Sequence, residues 1–356
     1  MTRRTVQWKR MFPDELESAF AECPVAWLPY GLCEPHGPQN AVGMDAIRAH
    51  ECLIRAAESF GGIVAPPFYW HCHETGGSAR WAHDRIGEAR PWLTAYPSWF
   101  FYKSLCYHLR AVDALGFQAC VLLSGHSGPH RTDVPIVLKI MERHVSVRAD
   151  VLFSLGTDDV TAFGDGEGQG GHAGRGETSV LWAVAPDCVD LSRLPAEDEP
   201  GPHFAMGNFV PASSRRAGER LVEFAVANCV ERAQHLMADY PGPREQPLSF
   251  IDVERIWREE VRPLLPEFTA MEEGEPPRKD RAGATTSTSP IQDRYDTTTM
   301  PALSGLQFVL VGSEDEGRVH FVEDRLPLDV SDHHRRHVFQ PLVRHLTRVT
   351  AFEVRL

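Results

Sequence analysis

From residue 24 to about residue 240, short and uniformly apolar runs alternate with longer stretches whose apolar residues recur every three or four positions. Residues 25–30 form one such run, which stops at Gly31. Residues 44–60 carry Ile47, Leu53, Ile54 and Ala57 at helical spacing and end at Gly61-Gly62, a helix stop. A second strand is expected at 63–67 and a helix at 99–115, ended by Gly116. The continuous apolar run at 119–123 breaks at Ser124-Gly125 and reads as a fully buried strand. A helix at 132–144, a strand at 149–155, a short helix at 177–185 and a long amphipathic helix at 215–239 follow. This order predicts an α/β fold with a mainly parallel sheet and helices on both faces.

The pattern changes after Tyr240. Residues 241–247 (PGPREQP) read as a linker, and a helix is expected at 252–265. Residues 272–301 are polar and rich in Pro and Thr, which predicts a long loop or a disordered segment. Strands at 306–311 and 319–322 and a helix at 334–347 complete the chain. The expected organisation is a domain over 1–240 and a C-terminal appendage over 241–356, whose role the sequence does not reveal.

Composition narrows the classes. Of 356 residues, 42% are hydrophobic and 24% charged, as in globular proteins. A net charge of −13 repels a phosphate backbone, so no nucleic-acid partner is expected. Eight scattered cysteines without a Cys-x-x-Cys pair suggest buried free thiols in a reducing compartment. The basic N-terminus lacks the apolar stretch of a signal peptide, and no run is long enough to span a bilayer. The expectation is a soluble cytoplasmic protein without a membrane partner. The 17 histidines permit metal chemistry without demonstrating it.

Three segments concentrate acids and imidazoles where strands end, the side on which open α/β sheets bind ligands. Glu34 and His36 follow the first strand two residues apart, so an extended backbone projects both to one face. Pro35 and Pro38 stiffen this segment, and a carboxylate with an imidazole suits a divalent ion. Asp45 opens the next helix, where an acid is equally at home as a partner of the helix dipole. His126, in Ser124-Gly125-His126-Ser127-Gly128, follows the most apolar strand and fits either a ligand or a structural histidine. The loop Gly170-Gly171-His172-Ala173-Gly174-Arg175-Gly176-Glu177 delivers a His and then a Glu at a helix start, or is simply a flexible loop with an N-terminal acid. Ser124 and Ser127 flank His126, but no Gly-x-Ser-x-Gly elbow is present.

Taken in order, Glu34-x-His36-Gly37-Pro38…Asp45, then Gly125-His126-x-Gly128, then His172-Ala173-Gly174-x-x-Glu177-Thr178-Ser179 resembles the creatininase (creatinine amidohydrolase) family over residues 20 to 240. The resemblance implies a three-layer α/β/α sandwich, often assembled as a hexamer, and hydrolysis of C–N bonds in cyclic or linear amides. It implies two divalent cations, Zn²⁺ and/or Mn²⁺, with Asp45 bridging them and Glu34, His36 and His126 as terminal ligands. Where creatininase itself has a ligand Glu, this chain has Gly128, so Glu177 is expected as the fifth ligand, with His172 as proton shuttle. The pocket departs from the family: Gln39 stands for His, Asn40-Ala41 for Leu-Pro and Met44 for Thr, and Ser124 and Pro129 replace Asn around the Gly-rich turn.

Trp70, His71, His73 and Gly128 are candidate contacts for a small-molecule substrate; the two histidines read equally well as surface-loop residues. Trp81, Trp92 and Trp99 could line the site or pack the core. His333, His334 and His337, interleaved with Arg335 and Arg336, read as a solvated helix face. Two rivals stand beside small-amide hydrolysis: a peptidase or lactam hydrolase of a biosynthetic pathway, and an inactive metal-binding scaffold.

Overall fold

The computed structural model describes residues 5–73, 92–126, 130–153, 163, 170–196, 203–268, 309–312 and 319–322. By its internal contacts the chain divides into Met1–Ser289 and Pro290–Leu356. Four strands form the sheet of the first unit: β1 (Val25–Tyr30), β2 (Ile63–Val64), β3 (Ala119–Ser124) and β4 (Arg148–Leu152). They lie in the order β2-β1-β3-β4, and every pair is parallel. β1 and β3 are paired along their whole length, from Val25 opposite Ala119 to Tyr30 opposite Ser124.

Both central strands are buried throughout, and their alternate residues enter different cores. Ala26, Leu28, Tyr30, Cys120 and Leu122 face one core, with α3 (Ser98–Ala114), α4 (His130–Met141) and residues 253–268 packed against it. Val25, Trp27, Ala119, Val121 and Leu123 face the other, covered by α2 (Met44–Phe60), α5 (Arg175–Val184) and α6 (Arg215–Ala238). The expected three-layer α/β/α sandwich is therefore present. All eight cysteines are free thiols, most of them buried.

Several elements depart from expectation. Helix α1 (Pro13–Glu22) precedes the first strand and was not foreseen; Pro13 starts it, and the Glu15 carboxylate accepts from the Phe12 amide at 2.8 Å. β2 is shorter than expected because Pro66 and Pro67 cannot donate to a ladder. The single helix foreseen at 252–265 is instead α7 (Phe250–Ile256), a π turn (Trp257–Val261) and a 3-10 stretch (Arg262–Glu267) containing two prolines. Val253, Ile256, Trp257, Val261, Leu265 and Phe268, which lie in the expected appendage, pack into the first core. In the second unit, β5 (Val309–Gly312) and β6 (Val319–Val322) pair antiparallel. The segment 272–301, the helix at 334–347 and its histidines lie outside the described residues.

This topology places the site. β1 leads through α2 to β2 on one side, and β3 leads through α4 to β4 on the other, with the two helices on opposite faces. The loops leaving β1 and β3 therefore diverge, opening a crevice at the carboxyl ends of adjacent strands. The start of α2 fills its floor. A methyl group at Gly31 would collide with the backbone of Asp45 and Ala46, and one at Gly125 with the backbone of Asp45. Gly125→Ala should cost about 1–3 kcal/mol of stability through overpacking, measured by denaturant unfolding; an unchanged midpoint would show that α2 is not wedged there.

Candidate metal centre

Glu34 and His36 leave β1 in an extended loop and are buried, at 2% and 0% exposure. The loop is held by the Glu34 amide donating to the Val42 carbonyl (3.0 Å) and the Gly37 amide to that of Phe204 (2.6 Å). His36 Nδ1 lies 3.0 Å from the Glu34 carbonyl and donates to it, which fixes the ring. Its Nε2 then faces carboxylates: Asp45 Oδ1 at 3.2 Å, Glu34 Oε1 at 3.7 Å and Glu177 Oε2 at 3.8 Å.

Asp45 sits in the first turn of α2 at 1% exposure, so it is both a helix-start acid and a site residue. His126, just beyond β3, brings Nδ1 to 3.0 Å from Glu34 Oε1 and 3.4 Å from Asp45 Oδ2. Glu177 reaches the cluster from the first turn of α5, where its Oε2 accepts from the Ala173 amide at 2.7 Å. Ala173 has φ 53°, and this reversal turns the Gly-rich loop so that His172 and Glu177 approach together despite their spacing. His172 Nε2 is 2.9 Å from the Pro35 carbonyl, its Nδ1 is 3.9 Å from Glu34 Oε1, and its ring lies 4.4 Å from that of His36.

These groups set one another's charge. Burial disfavours every ion here, but Asp45, Glu34 and Glu177 outweigh it at His36 and hold its pKa at about 9. Glu34 and Asp45 raise His126 against burial to about 10. In return, His36 and His126 hold the buried Asp45 at about 2. Glu34 is held well below the usual carboxylate range, against burial, by His126 and His172, and Glu177 is lowered by Arg48 and His36.

The donor atoms group into three triads, each with ligand atoms within 4.8 Å of one another: Glu34–Asp45–His126, His36–Asp45–Glu177 and Glu34–His36–His172. The first two share Asp45. His36 Nε2 and Asp45 Oδ2 are buried and make no hydrogen bond among the described residues. Buried polar atoms of this kind call for a partner. Carboxylate oxygens and imidazole nitrogens together suit zinc or manganese. The residues thus fit a divalent-cation centre.

Three comparisons bear on identity. The family model for creatininase, described as creatinine amidohydrolase, matches residues 9–232. The chain belongs to the creatininase family. It is thus an amidohydrolase of a family acting on C–N bonds other than peptide bonds, with candidate metal ligands in place. Among solved structures, a "Creatininase Mn" is 22% identical with a TM-score of 0.52, covering 67% of this chain and 100% of that one. A mutant creatininase of "Zn-Zn type" is 22% identical, with a TM-score of 0.52 and coverage of 67% and 99%. A mutant creatininase complexed with creatine is 22% identical, with a TM-score of 0.51 and coverage of 67% and 100%. At this identity the likeness shows the fold. No curated protein matches the sequence.

Two of the positions expected to depart from the family pattern, Gln39 and Asn40, form a brace. Asn40 Nδ2 donates to the His36 carbonyl and to Thr178 Oγ1, each at 2.9 Å, and Gln39 Nε2 reaches the same hydroxyl at 3.2 Å. They tie the Glu34 loop to α5.

The candidate substrate contacts divide. His71 and His73 are not surface-loop residues. His71 is buried, stacked on Phe101 at 4.0 Å between ring centres, and burial together with His126 lowers its pKa to about 3. His73 Nε2 lies 3.0 Å from Glu34 Oε2, so it braces a proposed ligand. Trp70 is 57% exposed and stands outside this buried cluster; Trp92 and Trp99 are also exposed. Gly128 and Trp81 lie outside the described residues. Sequence reasoning missed Arg48, whose Nη2 is 3.0 Å from both Asp45 Oδ1 and Glu177 Oε1. The signal was available: an arginine three residues after Asp45, on the same stripe of α2 as Ala49, Cys52 and Leu53.

A cation must displace protons from His36 and His126, so its apparent affinity should rise with pH toward about 9 and 10. Calorimetry in buffers of different ionisation heat would record the proton release; a pH-independent affinity would contradict it. In the metal-free protein the sign is opposite. Imidazoles raised above their unfolded value of roughly 6.5 contribute stability that is complete below that value and lost as pH rises through about 9 and 10.

Proposed function

We propose that this chain hydrolyses a C–N bond of a small amide, with two divalent cations, Zn²⁺ and/or Mn²⁺, held by Glu34, His36, Asp45, His126 and Glu177. The observation that carries this reading is the pair of triads, Glu34–Asp45–His126 and His36–Asp45–Glu177, meeting at one buried carboxylate. Asp45 can offer an oxygen to each side, as a bridging ligand must. The likeness to manganese- and zinc-containing creatininases supports the choice of ions, and the creatine complex of one of them supports a small, creatinine-like amide over a peptide. We extend the family resemblance to a homo-oligomer, a hexamer by analogy.

Bound there, the cations would supply Lewis-acid activation of water and polarisation of the amide carbonyl. The chain's own groups do the rest. Glu34 is fixed through both oxygens, by His126 at 3.0 Å and His73 at 3.0 Å, so its carboxylate is oriented before any ligand arrives. Burial of the triads excludes bulk water and strengthens every charge interaction inside them. His172 is tethered through Nε2 to the Pro35 carbonyl, which leaves Nδ1 turned toward Glu34. At 29% side-chain exposure this imidazole spans the site and solvent, which supports a role in passing a proton to the leaving nitrogen.

His172→Ala should keep both cations and lose roughly 100-fold or more in kcat, read by metal analysis beside turnover; loss of a cation would instead make His172 a ligand. Asp45→Asn should abolish uptake of both cations, whereas loss of a single one would remove the bridging role. A panel of small cyclic amides set against short peptides distinguishes the proposed substrate class from the peptidase alternative.

A further inference from the structure

The family model ends at residue 232, and residues 248–268 lie beyond it. They are nevertheless docked on the first core. Arg110 Nε of α3 donates to the Leu248 carbonyl at 2.8 Å, and Lys103 Nζ lies 2.7 Å from Glu254 Oε2, which also accepts from the Tyr107 hydroxyl at 3.1 Å. Exposed pairs of this kind contribute little each. The docking is carried by Val253, Ile256, Trp257 and Val261, all buried.

Phe268, at the end of this segment, is buried and meets the Tyr102 ring edge to face, 5.1 Å between centres at 82°. From Tyr102 a row of buried rings leads to the centre. Tyr102 and Phe101 are neighbours on α3, 5.6 Å apart; Phe101 stacks on His71 at 4.0 Å; and His71 meets the His126 ring edge-on at 5.5 Å. A second route is polar. The Tyr102 hydroxyl donates to Asp133 Oδ2 at 2.7 Å, in the first turn of α4, the helix that follows His126 in the chain. A close-packed interior has little free space and passes a displacement on to its neighbours.

We propose that Phe268, outside the family-matched region, is a positioning residue: it holds Tyr102 in place, and through Tyr102 the rings that seat His126. The segment after residue 248 is then a working part of the metal centre, although it supplies no ligand to it. The inference rests on the reading of His126 as a cation ligand. Removing the Phe268 ring lets Tyr102 and Phe101 relax into the space it leaves, so His71 no longer supports His126 from the side. Cation affinity falls although every ligand is still present.

The test is calorimetric titration of the metal-free full chain with Mn²⁺, and separately with Zn²⁺, beside denaturant unfolding of each variant. Phe268→Ala should weaken cation binding about 10-fold, and Phe268→Leu, which keeps most of the bulk, by a smaller factor. Val253→Ala is the control: it deletes buried volume from the same segment without removing a ring. It should lower the unfolding midpoint and leave cation affinity at the wild-type value. Tyr102→Leu should weaken binding as F268A does, and the double variant should lose less than the product of the two single losses. Wild-type affinity in F268A overturns the proposal, as does an equal loss in V253A or full multiplication of the two losses in the double variant. Should F268A show no cooperative unfolding transition, F268L against V253A carries the comparison. A wild-type chain that binds neither cation refutes the metal reading itself, a failure distinct from a wild type that binds and an F268A that binds equally well.

Discussion

Asp45 is charged at 1% exposure, and a buried carboxylate is tolerated only where opposite charge and hydrogen bonds surround it. Here His36 at 3.2 Å and His126 at 3.4 Å supply opposite charge, and Arg48 at 3.0 Å supplies both charge and a hydrogen bond. Each comes from a different step of the architecture: the loop after β1, the turn after β3 and the next turn of α2 itself. The rest of the centre follows from satisfying this one group. Glu34 and Glu177 balance the imidazoles, and His73 and the Ala173 amide hold those two carboxylates in turn.

The parallel sheet makes this convergence possible. Strand order β2-β1-β3-β4 sends the loops of β1 and β3 in opposite directions, so the space between them is left for the start of α2. Gly31 and Gly125 lack the Cβ that would keep that helix out. Fold and chemistry are coupled at these two glycines, because the backbone contact that seats α2 also sets where the Asp45 side chain lies. The helix also brings a carboxylate at its first turn, where an acid is favoured by the helix dipole. The same device is used again at Glu177 on α5.

The side chains of this centre are oriented by one another and by backbone groups. His36 is fixed through its backbone-bonded Nδ1, Glu34 through both oxygens, and Glu177 through Arg48 and the Ala173 amide. Gln39 and Asn40 add a brace from the loop to Thr178. The positions at which this chain departs from the family pattern thus include two that join one half of the site to the other. Variation there bears on how the two halves are spaced as much as on what enters between them.

The sequence by itself determined the α/β alternation, because buried parallel strands are continuous apolar runs and amphipathic helices repeat every 3.6 residues. It also determined which acids and imidazoles stand at strand ends, since Glu34, His36 and His126 follow apolar runs directly. It missed α1, and it ran a single helix through Pro263 to Leu265, because local periodicity is weak in short elements. Only the tertiary structure decided that Asp45 is shared by two triads, that His73 is spent on Glu34 and that Arg48 binds two carboxylates at once. Those facts depend on distances between residues far apart along the chain, 129 positions for Arg48 and Glu177. Spacing along one segment carries no information about such distances; the packing of α2 and α5 on one face of the sheet does.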